Sequence, residues 1–131
     1  MNQPKQVIVM RRDLKMRRGK EIAQACHASM AFLTRRLASP SRLNPGLRHC
    51  FLYDVEIQWL QESFKKVCVR VDSEEELDEI AEKAKVLGVA CHIITDSGKT
   101  EFDGVPTKTC LALGPDEAEK IDELTGHLEV Y

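Results

Sequence analysis

Lys20, Gln24 and His27 recur at i, i+4 and i+7, a spacing that lines three side chains along one stripe of a helix. A cation with polar side chains on one stripe at the start of a helix can hold an anion. Lys20 follows Arg17 and Arg18 and falls in the first turn of the predicted helix. Cations there oppose the helix dipole by roughly 0.3–1 kcal/mol each, and an anion held by the free N–H groups and the added cations would offset that cost. The competing account is a solvated basic turn and, for His27 alone, an ordinary surface histidine.

Asp96-Ser97-Gly98-Lys99-Thr100 directly follows a predicted strand. Ligands of open α/β sheets gather at strand carboxyl ends, so Asp96 is placed to act as a base or to orient a water. Gly98-Lys99-Thr100 is like the end of a phosphate-binding loop, but Ile93 stands where that pattern needs its first glycine. A plain turn in which Asp96 bonds its own backbone is the alternative. Thr107-Lys108-Thr109 comes just before the last strand. A threonine hydroxyl there matters for chemistry only if folding brings it beside Asp96 and Lys20.

Other chemistries find less support. Histidine adjoins cysteine at Cys26-His27, His49-Cys50 and Cys91-His92, yet no zinc-like spacing and no CxxC pair occurs. Neighbours on a strand point to opposite faces, so Cys91 and His92 are poorly disposed to share an ion. Five cysteines, an odd number, fit free thiols in a reducing compartment. Cys68, Cys91 and Cys110 fall in predicted strands, where a thiol acts as a small hydrophobe. No metal or cofactor is therefore expected. The one apolar run near the start, Val7-Ile8-Val9-Met10, is too short for a signal peptide core or a membrane span, so the expectation is a cytoplasmic protein with no membrane partner.

Charge is unevenly shared. Residues 1–50 carry eleven Lys/Arg against two acids, and residues 51–131 carry eight against nineteen, within a formal net charge of -2. A basic half on a near-neutral chain suggests a local site for a polyanion, although two surfaces that attract each other on folding would look the same.

The elements that must position these residues follow from periodicity. Gln6–Met10 predicts a buried strand. Gly19 predicts an N-cap for a helix over 20–37, with Ile22, Cys26, Met30, Leu33 and Leu37 as its apolar stripe. The Lys20 stripe lies about 130° around from that one, at about 100° per residue. Ser39-Pro40-Ser41 and Asn44-Pro45-Gly46 make 38–47 a loop. Residues 53–61 read as a short helix carrying Trp59, and 66–71 as a strand. Ser73 and Glu76 form a capping box for a helix that Gly88 ends, with Leu77, Ile80, Ala81, Ala84 and Leu87 as its apolar face. Strands follow at 91–95 and 110–113. Pro115 is expected at the first position of a last helix that Gly126 closes. Alternating strands and helices predict an α/β fold, a small three-layer α/β/α arrangement in one domain over 1–131. The short link between the last two strands predicts an antiparallel pair, hence a mixed sheet.

Several of these segments, in order, resemble the peptidyl-tRNA hydrolase family of the archaeal and eukaryotic type. Arg11-Arg12-Asp13-Leu14-Lys15-Met16 is similar to the family's R-x-D-L-K-M run. Gly19-Lys20, Ala23-Gln24 and His27-Ala28 resemble its G-K, A-Q and H-A pairs, and Lys66-Val67 looks like the start of its second strand. Asp96-x-Gly98-x-Thr100 is similar to D-A-G-R-T, Thr109-x-Leu111-Ala112-Leu113-Gly114-Pro115 to T-V-L-A-I-G-P, and Thr125-Gly126-His127-Leu128-x-x-Tyr131 to T-G-H-L-x-x-Y. Ser97 and Lys99 replace the usual alanine and arginine. Ser63-Phe64 stands where Gly-Gln is common, and the segment 38–58 is longer than usual.

The resemblance implies a four-stranded mixed sheet, often a homodimer, and metal-free hydrolysis of the ester between a peptide and the 3′ end of tRNA. It implies Lys20, Asp96 and Thr109 as catalytic residues, with Gln24, His27 and Lys66 nearby and Lys99 and Thr100 in the same loop as Asp96. Arg11, Arg12, Lys15, Arg17 and Arg18 would then grip the tRNA backbone without base specificity. The rival expectation is a non-catalytic RNA-binding module on the same fold.

Overall fold

A computed structural model describes residues 3–38 and 46–131. Strands β1 (Lys5–Arg11), β2 (Lys66–Val71), β3 (Cys91–Asp96) and β4 (Thr107–Asp116) form one sheet in the order β2-β1-β4-β3. β1 and β2 run parallel, and β4 is antiparallel to both of its neighbours. Helices α1 (Arg18–Leu37), α2 (Asp54–Gln61), α3 (Glu74–Leu87) and α4 (Ala118–Thr125) complete the element order. The two central strands are covered on both faces, which is why Val7–Met10 and Cys110–Leu113 read as unbroken apolar runs.

Strand alternation sorts the core into two halves. Ile8, Met10, Cys110 and Ala112 meet Ala28 of α1 on one face. Val7, Val9, Leu111 and Leu113 meet Leu77, Ile80 and Ala84 of α3 and Ile121 and Leu124 of α4 on the other. α2 joins the α1 side. Its buried Trp59 stands edge-on to Phe32, with ring centroids 5.9 Å apart, and its buried Glu56 accepts two bonds from Arg36 at 2.7 and 3.0 Å. Helices thus cover both faces of a mixed four-stranded sheet, the expected three-layer architecture.

α1 departs from the expected amphipathicity. It begins at Arg18, with Arg17 rather than Gly19 as N-cap. It buries Gln24, Ala28, Ala31 and Phe32, whereas Ile22 and Met30 are 59% and 56% exposed. Small alanines let the helix lie close to the sheet, and Gln24 is tolerated there because its polar atoms are bonded. The apolar stripe read from sequence is the outer flank of the helix.

Half of the expected capping box forms on α3, because the Glu76 carboxylate reaches back to the Asp72 N–H at 2.9 Å and not to that of Ser73. Ser73 Oγ accepts from the Glu76 N–H at 3.1 Å, and Gly88 ends the helix in the left-handed region. Pro115 does not open the last helix. β4 runs on to Asp116, which still pairs with Lys5, and α4 starts at Ala118 after Glu117. The pairing of β1 with β4 shifts by one residue between Lys5 and Val7, and Pro115, which has no N–H to donate, occupies that irregular step. Residues 129–131 lie along the outer edge of β2, through Arg70 N–H to Glu129 O and Tyr131 N–H to Cys68 O, both 3.0 Å. Of the predicted loop over 38–47, residues 39–45 lie outside the described residues.

Candidate active site

The first turns of α1 and the end of β3 meet on the α1 side of the sheet. Lys20 Nζ donates to Asp96 Oδ1 at 2.9 Å and to Thr100 Oγ1 at 2.8 Å. Gln24 Nε2 lies 3.4 Å from the same Asp96 oxygen, and the other oxygen, Oδ2, accepts from the Gly98 N–H at 2.9 Å. The Asx-type turn is therefore realised on one carboxylate oxygen, and the other meets Lys20 and Gln24. Gly98 has φ +83°, and a Cβ on it would lie 2.2 Å from the Val105 carbonyl oxygen, so only glycine permits this turn.

Thr109 reaches the group through a β-bulge. Thr95 pairs with Lys108 and Ile94 with Cys110, which leaves Thr109 as the extra residue of β4. Regular alternation would send Thr109 to the α3 side with Leu111. The bulge turns it to the α1 side, and it sends Lys108 the other way, to Asp78 of α3 at 2.9 Å. Thr109 is fully buried, and its hydroxyl donates to Gln24 Oε1 at 2.6 Å. Asp96 can only accept when ionised, so Gln24 must offer it the amide N–H and must receive Thr109 with its oxygen. A polar relay runs from the Thr109 hydroxyl through Gln24 to the Asp96 carboxylate.

The Asp96 carboxyl is held below the usual carboxylate range. The Lys20 hydrogen bond is the main cause, desolvation opposes it, and the Gly98 N–H and the charges of Lys20 and His27 add to the lowering. The strand thiols move the other way. Burial pushes Cys110 up to about 12 and Cys68 and Cys91 up to about 11, so near neutral pH they are protonated packing groups, not nucleophiles. Among the described residues, no three His, Cys, Asp or Glu side chains gather as a metal ion would need.

The other predicted site residues divide by location. Arg12, Lys15, Arg18, His27 and Lys99 are exposed. Arg17 is exposed too, and its Nε donates to Glu101 Oε1 at 2.7 Å beside an open cleft that Gly19, Lys20 and Thr100 also line. Sequence reasoning missed Glu101, whose one signal was a carboxylate adjoining the Asp96–Thr100 loop.

Two assignments are corrected. Arg11 is not a free grip residue: it is 8% exposed, bonds Asp13 at 2.6 and 3.1 Å and donates to Lys108 O at 3.0 Å. It continues the Val7–Val9 parity of β1 and so faces α3, away from Lys20. Lys66 is not near Asp96. It pairs with Gln6 at the far end of the sheet, whereas Cys110, next to Thr109, pairs with Met10. Four residues of strand separate those levels, about 13 Å. There Lys66 lies over the Phe64 and Trp59 rings, a cation–π stack.

A small α/β fold that sets an ammonium against a carboxylate, beside an exposed basic helix start, has the parts needed to hydrolyse an ester carried on a polyanion. The sequence profile of the family described as "Peptidyl-tRNA hydrolase PTH2" matches residues 4–131. Similar proteins include a "Peptidyl-tRNA hydrolase" of Methanocaldococcus jannaschii, 41% identical over 96% of this chain and 98% of that protein. One of Nanoarchaeum equitans is 42% identical over 97% and 98%. A "Probable peptidyl-tRNA hydrolase 2" of Dictyostelium discoideum is 38% identical over 97% of this chain and 54% of that longer protein. The chain belongs to the peptidyl-tRNA hydrolase PTH2 family.

Proposed function

We propose that this protein hydrolyses the ester joining a peptide to the 3′ end of tRNA, releasing free tRNA and a peptide carboxylate. The observation that carries the reading is the Lys20–Asp96 pair, joined through Gln24 to Thr109 and opening on a cleft beside Arg17 and Arg18. An ammonium has three donors. Lys20 uses two of them on Asp96 and Thr100, and the third serves the oxyanion of the tetrahedral intermediate. Asp96, a weak base because its acidity is raised, orients the attacking water more than it deprotonates it. The water adds to the ester carbon and the bond to the ribose oxygen breaks; one proton of the water ends on that oxygen and the other passes to solvent as the peptide carboxylate forms. Thr109 acts as a positioning residue, because its one proton is committed to Gln24. Arg12, Lys15, Arg17 and Arg18, with Lys99 at the loop, hold phosphates.

Lys20 supplies the positive charge the oxyanion needs, so the reading includes hydrolysis without a metal. It also includes cytoplasmic residence, where translation supplies the substrate, and the homodimer carried by the family resemblance, which sedimentation checks.

The direct test is release of peptide from N-acetyl-aminoacyl-tRNA. Lys20→Ala and Asp96→Ala are each expected to lower kcat by about 10²–10³, the size of losing an oxyanion donor. A chelator should leave the rate unchanged. No turnover, or full rates in both variants, would overturn the proposal, and tRNA binding without turnover would favour the binding module.

A further inference from the structure

Beside the Lys20–Asp96 pair, a groove of about 230 Å³ runs between the outer flank of α1 and β3. Cys26, Met30, Ala31 and Ile94 line it together with one hydroxyl side chain, Thr34, and His27 and Arg35 lie one turn of α1 to either side of Ala31. It shares no lining residue with the cleft at Lys20 but adjoins the site along both elements. His27 follows Gln24 by one turn and acts electrostatically on Asp96, and Ile94 precedes Asp96 by two residues on the same face of β3. Arg35 lines the far end, where it donates to Ile93 O at 2.7 Å and contacts His92 Nδ1 at 3.1 Å. That bond also occupies part of the open edge of β3, the outermost strand of the sheet.

An ester between a peptide and tRNA has two arms that diverge from the carbon under attack. Arg12, Lys15, Arg17 and Arg18 precede or open α1, so the polyanionic arm leaves toward the N-terminal end of that helix. The acyl arm must leave the other way, along α1 toward Met30. We infer that this groove receives the acyl arm and favours an apolar side chain on the residue esterified to tRNA. The inference rests on the proposed hydrolase reading and deepens it. Met30 suits this role, because its flexible thioether adapts to side chains of different shape and in this structure is largely exposed. The guanidinium of Arg35 at the far end disfavours a cationic side chain. The groove also gives a role to the apolar residues that α1 leaves out of the core.

The test uses one tRNA body charged with N-acetyl-glycine, N-acetyl-leucine or N-acetyl-lysine. The expected result is a kcat/KM at least about fivefold higher for leucyl than for glycyl or lysyl ester, below the 10- to 200-fold that a methylene commands in an enclosed pocket. Met30→Lys, a change at an exposed position, should bring the leucyl-to-glycyl ratio close to one. A ratio unchanged by Met30→Lys would overturn the inference. A second readout is independent of turnover. The Met30 methyl resonance should shift with 3′-(N-acetyl-leucylamido)adenosine and not with its glycyl counterpart. No shift with either sinks the groove, whereas a leucyl-specific shift without hydrolysis of any ester keeps the groove and sinks the hydrolase reading.

Discussion

Asp96 accepts from Lys20, Gln24 and the Gly98 N–H, so its ionised form is favoured by three donors against a partial desolvation cost. Its folded-state pKa lies below the ordinary value. The stability of this ion pair is therefore fully present above the ordinary carboxylate range and is lost as pH falls through the depressed value. Near neutral pH the carboxylate is fully ionised and contributes no pH dependence to hydrolysis. In Lys20→Met the main cause of the lowering is gone while desolvation stays, so the Asp96 titration should move up. Carbon-13 titration of the Asp96 carboxyl in the two proteins checks this, and coincident curves would mean that the Lys20 bond does not hold the carboxylate. Lys20 and Asp96 were legible from type and place, a cation in a first helical turn and an acid at a strand end. The buried role of Thr109 was not, because it depends on a pairing register that no local window contains. Arg11 carried a readable signal: it shares the parity of Val7 and Val9, so a strand extended by one residue sends it to the opposite face from Lys20.

At the scale of elements, sequence patterning located every strand and helix among the described residues but misjudged which face α1 buries. The five larger side chains of the stripe outweighed the alanines in the periodicity, yet packing distance favoured Ala28 and Ala31 against the sheet. β4 was longer than read, because Gly114-Pro115 looks like a helix opening until β1 is seen to pair past it. The connection from β3 to β4 is the element on which the site most depends. Gly98 at its start donates its N–H to Asp96 and accepts from Gly104 N–H at 2.9 Å and Phe102 N–H at 3.3 Å. Gly98→Ala places a Cβ against the Val105 carbonyl in a left-handed conformation, so the loop must open. The expected outcome is a stability loss of about 1–3 kcal/mol in urea unfolding and a fall in kcat, because the turn no longer fixes Asp96. A variant with full stability and full rate would show that the loop can re-form without this glycine.

Across the whole molecule the sheet separates charge. The α1 side presents Arg12, Lys15, Arg17, Arg18 and Lys20, while α3 opens with Glu74, Glu75 and Glu76 on the opposite face. Both readings of the charge asymmetry have a share in the structure. Ion pairs join the two halves at Lys5–Asp122, Arg11–Glu74, Arg17–Glu101, Lys20–Asp96 and Arg36–Glu56. Arg12, Lys15 and Arg18 instead stand exposed. An RNA held there releases counterions, so log kcat/KM at subsaturating substrate should fall linearly with log salt. Arg18→Gln should reduce that slope by about 1, the change expected when a single phosphate is no longer neutralised. Arg11→Gln should leave the slope as it is and instead lower stability by about 1–3 kcal/mol, because the Lys108 carbonyl and Asp13 lose their donor. Measuring both variants over the same salt series separates the two roles. A slope change in Arg11→Gln, or none in Arg18→Gln, would place the RNA on a different face from the one that carries Lys20.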